Sequence, residues 1–533
     1  MIKINCYLLV FSIGLLFACN GEQSIKESDK SGQLSSIQKN KEPHRPTFHF
    51  TPPEKWMNDP NGMVYYAGEY HLFYQYYPDS TVWGPMHWGH AISKDLVTWE
   101  HLPIALYPDE LGYIFSGSAV IDWKNTSGFG KDGQPPMIAI FTHHEPKGAA
   151  SGTSKTFQYQ SIAYSNDKGR TWTKYGGNPV VPNPGIKDFR DPKVIWDDAT
   201  DQWVMVFAAW DHVKFYGSPN LKDWTHLSDF GKEWGTHAGV WECPDLFPLI
   251  VKGKGEKKWV LLQSLNPGGP NGGSGTQYFV GDFDGKNFII DREFGERVKR
   301  DSTIWLDYGR DNYAGVTWSD IPVSDGRRLF MGWMSNWDYA QIVPTDNWRS
   351  AMTLPRNLVL KRTDLGLTLF SEPIKELANL RKHTEVLEAS KAPAGLSINL
   401  GTARKIIGEI QLNFSIPKGA KTKVSLELSN SKAEKYEIGY NAATNEFFSD
   451  RRSAGKVAFA DKFATTIHTA PRFSKNTNIE MQIFLDVASA ELFADKGWTV
   501  LTDIFFPNED FNQLRLTADG PIDLHESKVH WYE

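Results

Sequence analysis

Three short stretches repeat one pattern, a Ser, a polar turn and a closing Trp: "SKDLVTW" (93–99), "SNDKGRTW" (165–172) and "SPNLKDW" (218–224). Between them recur apolar-aromatic runs broken by Gly, Asp, Asn and Pro. Examples are "GMVYYAGEYHLFYQYYP" (62–78), "KVIWDDATDQWVMVFAAW" (193–210), "LFPLIVKGKGEKKWVLLQSL" (246–265) and "RRLFMGWMSNW" (327–337). Short runs bounded by turn residues, with little 3.6-residue periodicity, predict strands and an all-β protein. A strand module recurring every 50–70 residues or so predicts a radial array of small sheets, a β-propeller.

A second repeat is chemical. Three hairpins open on a carboxylate near a proline: Asp59-Pro60, Asp191-Pro192 and Glu242-Cys243-Pro244. Each precedes an apolar strand, a turn and another apolar strand. In a propeller the first strand of each blade lies nearest the axis. If the three segments are copies of one unit, the three acids take similar places and converge on one central funnel.

Composition narrows the chemistry. The chain has 533 residues, enough for two domains or more, and a net charge of -6, with no basic surplus to hold a phosphate backbone. Nucleic acid is therefore excluded as a natural partner. Aromatic residues make up 13% and include 20 Trp, which suits packed sheets and also the apolar faces of sugar rings.

The N-terminus reads as a targeting segment. Lys3 precedes an apolar run, "CYLLVFSIGLLFA" (6–18), that is short for a membrane span. Its end, "LLFAC", resembles a bacterial lipobox, which makes Cys19 the lipidated first residue of an exported, lipid-anchored protein. Residues 20–47 are polar and predict a flexible tether. With Cys6 removed and Cys19 acylated, Cys243 is the remaining thiol, so no intrachain disulfide and no Cys-based metal site are expected.

Paired carboxylates in an aromatic pocket suggest glycoside hydrolysis, in which one acid is ionised and the other carries a proton for the leaving oxygen. Sequence neighbours suggest the division. Asn58 beside Asp59 and Arg190 beside Asp191 favour anions. Glu242, between Trp241 and Cys243, has no adjacent cation, which suits a general acid.

The motifs "WMNDPNG" (56–62), "FRDPKV" (189–194) and "WECPDLF" (241–247), in this order, resemble the signatures of glycoside hydrolase family 32. So do "HLFYQYYP" (71–78), "WGPMHWGHAISKDLVTWEHLPIAL" (83–106), "FSGSAV" (115–120), "WRSAMTLPR" (348–356), and two segments in 434–507. The resemblance implies a five-bladed β-propeller over residues 48–375 and a C-terminal β-sandwich over 376–533. It implies a retaining, exo-acting hydrolase of fructans and fructo-oligosaccharides, without a metal or organic cofactor. It also implies roles: Asp59 as nucleophile, Glu242 as acid/base, Asp191 as transition-state stabiliser. Asn58, Gln75, Trp83, Phe115, Ser116, Arg190 and Trp333 match positions that line the fructose subsite. The same chemistry would serve an endo-acting enzyme or a fructosyltransferase. The rival from another class is a non-catalytic fructan-binding protein.

Two further readings complete the expectations. "SEPIKELANLR" (371–381) reads as a short helical connector, and the sandwich as a domain that packs against the propeller. "THHEP" (142–146) offers adjacent His143 and His144 but reads as a loop at the pocket rim. Neighbouring side chains point apart and would not share one ion.

Overall fold

The computed structural model describes residues 42–533. Cys19 and the tether up to residue 41 lie outside the described residues. The last part of the tether segment has a defined place: His44 and Arg45 are buried, and the Arg45 guanidinium sits 4.6 Å from the Trp348 ring centroid.

Five sheets form the blades of a propeller, antiparallel but for the short strand Trp348–Arg349, which joins the first in parallel. Their inner strands are Lys55–Tyr66, Tyr113–Ile121, Phe189–Asp197, Val240–Ile250 and Tyr313–Thr317. The continuous apolar runs of the second strands have a simple cause. Each blade is covered on both faces by its neighbours, so neither face can be polar. In Gln202–Ala209, Val204, Val206 and Ala208 pack into one apolar cluster, and Trp203, Met205, Phe207 and Ala209 into the next. Blades 1 and 5 are tied by backbone bonds between Tyr65 and Ser319 (3.0 Å) and between Ser319 and Met63 (2.9 Å).

The Ser…Trp repeat is the turn between the third and fourth strands of blades 1, 2 and 3. Ser93 and Asp95, Ser165 and Asp167, and Ser218 and Asn220 accept bonds from the turn's own backbone amides. Trp172 and Trp224 close it by donating to the carbonyls of Gly169 (3.0 Å) and Leu221 (2.9 Å).

The connector forms a 3-10 helix, Lys375–Leu380. Beyond it two antiparallel sheets of eight and six strands make the sandwich. In Asn478–Asp486 the alternating Ile479, Met481, Ile483 and Leu485 enter the sandwich core. Phe484 faces the other way and joins a cluster containing propeller residues such as Met331 and Leu354. Around that contact lies a buried ionic network. Arg356 donates to Asp307 (2.9 Å) and Glu491 (2.7 Å), and His49 bonds Asp486 (2.8 Å) and Glu491 (2.9 Å).

Candidate active site

Every inner strand carries the same irregularity. Its pairing with the second strand jumps between Met57 and Pro60, Ile114 and Gly117, Arg190 and Lys193, Glu242 and Asp245, and Tyr313 and Val316. Two residues there oppose one on the partner strand, which is a β-bulge, a device that re-aims side chains. In blades 3, 4 and 5 the first bulged residue is left-handed: Asp191 (φ 64°), Cys243 (φ 48°) and Ala314 (φ 52°). The five bulges encircle one end of the axis, and residues at or beside them bond to one another.

The three acids do converge, though not at equivalent positions. Asp59 is the second residue of its bulge, Asp191 the first of its own, and Glu242 the residue before. Asp59 accepts from Asn58 Nδ2 (2.9 Å) and Ser116 Oγ (2.7 Å). Asp191 accepts from the backbone amide of Cys243 (3.0 Å), and its own amide donates to Thr142 (3.0 Å). The Cys243 sulfur lies between the two, 3.5 Å from Asp59 Oδ2 and 3.6 Å from Asp191 Oδ2. Glu242 accepts from Arg190 Nη2 (2.8 Å) and from the phenol of Tyr313.

This overturns one half of the division inferred from sequence neighbours, the expectation that Glu242 lacks a cation, while Arg190 does pull Asp191 toward the anion. Arg190 reaches across the gap between blades to Glu242 and back to Asp188 (2.5 Å), while its Nε is 3.8 Å from Asp191. Glu242 therefore does have a cation beside it. Arg190 stands before its bulge, so the side chain is directed by the blade gap and not by its chain neighbour.

Burial raises the proton affinity of Asp59, opposed by the bonds from Ser116 and Asn58 and reinforced by the charge of Glu242. Burial likewise takes Asp191 up to about 7, with Glu242 and Asp59 adding to it against the pull of Arg190. Asp191 thus holds a proton into the neutral range, while the Arg190 guanidinium is divided among Glu242, Asp188 and Asp191. Burial, with Glu242, pushes the Tyr313 phenol well up, so it remains a donor.

Two of the predicted aromatic residues stand next to groups that bond the acids: Phe115 precedes Ser116, and Trp333 pairs with Tyr313. Trp83, 36% exposed, meets Phe115 edge to face at 6.0 Å. Trp333 is fully buried beside Tyr313 (6.5 Å), Trp56 (6.1 Å) and Trp337 (5.0 Å). Gln75 stands opposite the Asn58–Asp59 bulge. Gln75 Nε2 and Trp333 Nε1 are buried donors without a partner among the described residues.

Sequence reasoning missed Tyr313, Thr142 and the place of His144. His143 and His144 end a strand, Met137–His144, and do not lie in a loop. His143 bonds Ser161 (2.8 Å) and faces Asp109 (3.2 Å), whereas His144 stacks on Phe115 at 4.2 Å. Glu145 instead caps the short helix Pro146–Ala150. Burial, together with Arg190, lowers His144 to about 4 and keeps it neutral. The histidine pair in "THHEP" was the available signal, whereas Tyr313 lies in no motif. Among the described residues, no group of three or more His, Cys, Asp and Glu is placed to hold a metal ion.

A propeller whose axial mouth gathers three carboxyls among aromatic walls defines a class of glycosidases. The profile described as "Glycosyl hydrolases family 32 N-terminal domain" matches residues 49–373, and "Glycosyl hydrolases family 32 C terminal" matches 376–531. The chain belongs to glycoside hydrolase family 32. It is 49% identical over 492 residues to a levanase of Bacillus subtilis, covering 92% of this chain and 70% of that protein. It is 40% identical over 519 residues to an extracellular exo-inulinase of Aspergillus niger, covering 92% and 96%. The crystal structure of the Aspergillus awamori exo-inulinase superposes with a TM-score of 0.82 at 36% identity, covering 92% and 99%.

Proposed function

We propose that this glycosidase removes single fructose units from the ends of β-fructans by a retaining, two-step mechanism. The observation that carries the reading is the convergence of Asp59, Asp191 and Glu242 on one mouth, each with different partners. Asp59, accepting from Asn58 and Ser116, attacks the anomeric carbon. Glu242 delivers a proton to the leaving oxygen and then takes one from water. Asp191 accepts from fructosyl hydroxyls and stabilises the sugar cation. The unpartnered donors of Gln75 and Trp333 suit ring hydroxyls, and Trp83 and Phe115 suit an apolar sugar face.

The named activities of the relatives, levanase and exo-inulinase, support both a fructan substrate and the exo mode. The test is an early time course on levan and inulin. Free fructose should appear first while the polymer shortens slowly. A ladder of oligosaccharides before any monomer means endo action, and transfer products at high sucrose mean a fructosyltransferase.

We also propose that the protein is exported and anchored through a lipid on Cys19, on the strength of the "LLFAC" motif. Cys19→Ser should leave the membrane fraction or block processing. Unchanged membrane association of the variant would refute the anchor.

A further inference from the structure

A cavity of about 710 Å³ opens at the opposite end of the propeller axis. It is lined by the far ends of the inner strands of blades 2, 3 and 4 and by residues 319–323 beyond that of blade 5, for example Lys193–Asp198 of blade 3 beyond Asp191. At about 3.3 Å per residue, Asp197 lies some 20 Å along the strand from Asp191. None of the chemistry above uses this space, and its size falls within the usual ~300–1,000 Å³ of a small-molecule site.

Four indole rings contribute to its wall. Trp123 is 61% exposed, and Trp196, Trp203 and Trp259 also line the cavity. The Trp123 ring is held in place, because its N–H donates to Asp320 Oδ1 (2.8 Å) and it meets Tyr66 edge-on at 5.7 Å. A large apolar side chain left in water but clamped by a carboxylate offers a preformed flat platform.

The inner end is polar with no net charge. Lys193 donates to the Thr317 carbonyl (2.6 Å) and stands 3.4 Å from Asp245. Arg328 faces Asp320 and Lys193 across the lining. Over the whole site Lys124, Lys193, Lys257 and Arg328 stand against Asp197, Asp198, Asp320 and the Asp245 behind Lys193, so the site favours neither an anion nor a cation. Ser319 Oγ and Arg328 Nε, both buried, have no hydrogen-bond partner among the described residues. Unpaired donors cost free energy unless a ligand or water meets them. Flat aromatic walls above a neutral, hydrogen-bonding floor suit a neutral polyhydroxylated ligand.

We propose that this far mouth is a second, non-catalytic carbohydrate site that holds an internal stretch of two or three fructosyl units of the polymer. The ligand's identity rests on the function proposed above. Binding polymer there would keep chain ends near the catalytic mouth through a raised effective concentration.

The experiment uses the full chain. Trp123→Ala should hydrolyse a fructosyl trisaccharide with unchanged kcat/KM, while KM on levan or inulin rises about 3- to 10-fold as the second contact is lost. In native gels containing levan or inulin, the Asp59→Asn chain, silenced to prevent turnover, should be retarded. Asp59→Asn with Trp123→Ala should lose most of that retardation. Arg328→Gln, which keeps its bulk, is the second variant should Trp123→Ala fail to fold. Equal retardation with and without the far-mouth substitution overturns the proposal. So does a trisaccharide kcat/KM that falls as far as the polymer's. Failure of the unsubstituted chain to release fructose from either polymer would instead count against the proposed function, whatever the gels show.

Discussion

Glu242 accepts from a guanidinium and a phenol at once, and Asp59 from an amide and a hydroxyl, so each acid has its own handle for mutation. Glu242→Gln removes the transferable proton with little change in shape. We expect turnover to fall about 10²–10⁴-fold, with a smaller loss on a substrate whose leaving group needs no proton. A wild-type rate on ordinary fructan would remove Glu242 from the mechanism. Asp59→Asn should fall at least as far and trap no fructosyl-enzyme in rapid quench. The pH profile follows from Asp191. Burial and the two neighbouring acids raise it to about 7, so it is protonated below that pH and ionised above it. Its proposed role uses the ionised form, so kcat/KM should rise with pH through a limb near 7. A profile flat from about pH 6 to 9 would show that ionisation of Asp191 is not required.

At the scale of the element, the bulge is the unit that makes the site. A bulge in every inner strand, and a second at Gly62 in blade 1, gives each blade a place where side chains leave the regular pleat and turn to the axis. Blade 1 shows how tightly this is packed. Gly62 has φ 55°, and a methyl group there would lie 2.7 Å from Trp88 and 2.8 Å from Phe73. Gly62→Ala adds a left-handed strain of about 1–2 kcal/mol to overpacking of about 1–3 kcal/mol. We expect a clear drop in Tm by calorimetry, together with lower kcat, because Asn58 and Asp59 sit on the same strand. The outer turns should behave differently. Asp95 accepts from Val97 (2.9 Å) and Thr98 (2.7 Å) far from the acids. Asp95→Ala should cost about 0.5–2 kcal/mol, as lost caps do, with kinetics unchanged at a temperature where the chain is folded. A changed KM would mean that the outer turn reaches the site.

At the scale of the whole molecule, propeller and sandwich share charges that neither could bury alone. His49 is buried between Asp486 and Glu491. Burial by itself would lower its pKa, but the two carboxylates outweigh this and raise it from 6.5 to about 9. A group raised on folding contributes its full stability below the unfolded value and loses it as pH rises through the folded one. Stability should thus decline between about pH 6.5 and 9, by an amount on the order of 3 kcal/mol. His49→Gln should remove most of this slope when chemical denaturation is followed at both pH values. An unchanged slope would place the titrating group elsewhere. Glu491→Gln strips a carboxylate from both His49 and Arg356, and breaking such a buried pair is expected to cost about 3–5 kcal/mol.

Strand content, the blade repeat, and the three acids with the residues beside them are legible in the chain alone. These rest on local chemistry: turn residues, caps and unbroken apolar runs speak for their own segment, and the motifs around Asp59, Asp191 and Glu242 are contiguous. Tertiary structure alone decided which groups meet. Arg190 follows Asp188 and precedes Asp191 in the chain, yet its closest approach to the cluster is to Glu242, a blade away. Tyr313 stands alone in an apolar strand and His144 ends another, so neither announces itself. Each gains its partner only when the blades close around the axis. The physical reason is that neighbours in a strand diverge across its two faces while the bulges turn chosen side chains inward. Contact at the axis is therefore set by the register of five separate sheets, which no single stretch of chain encodes.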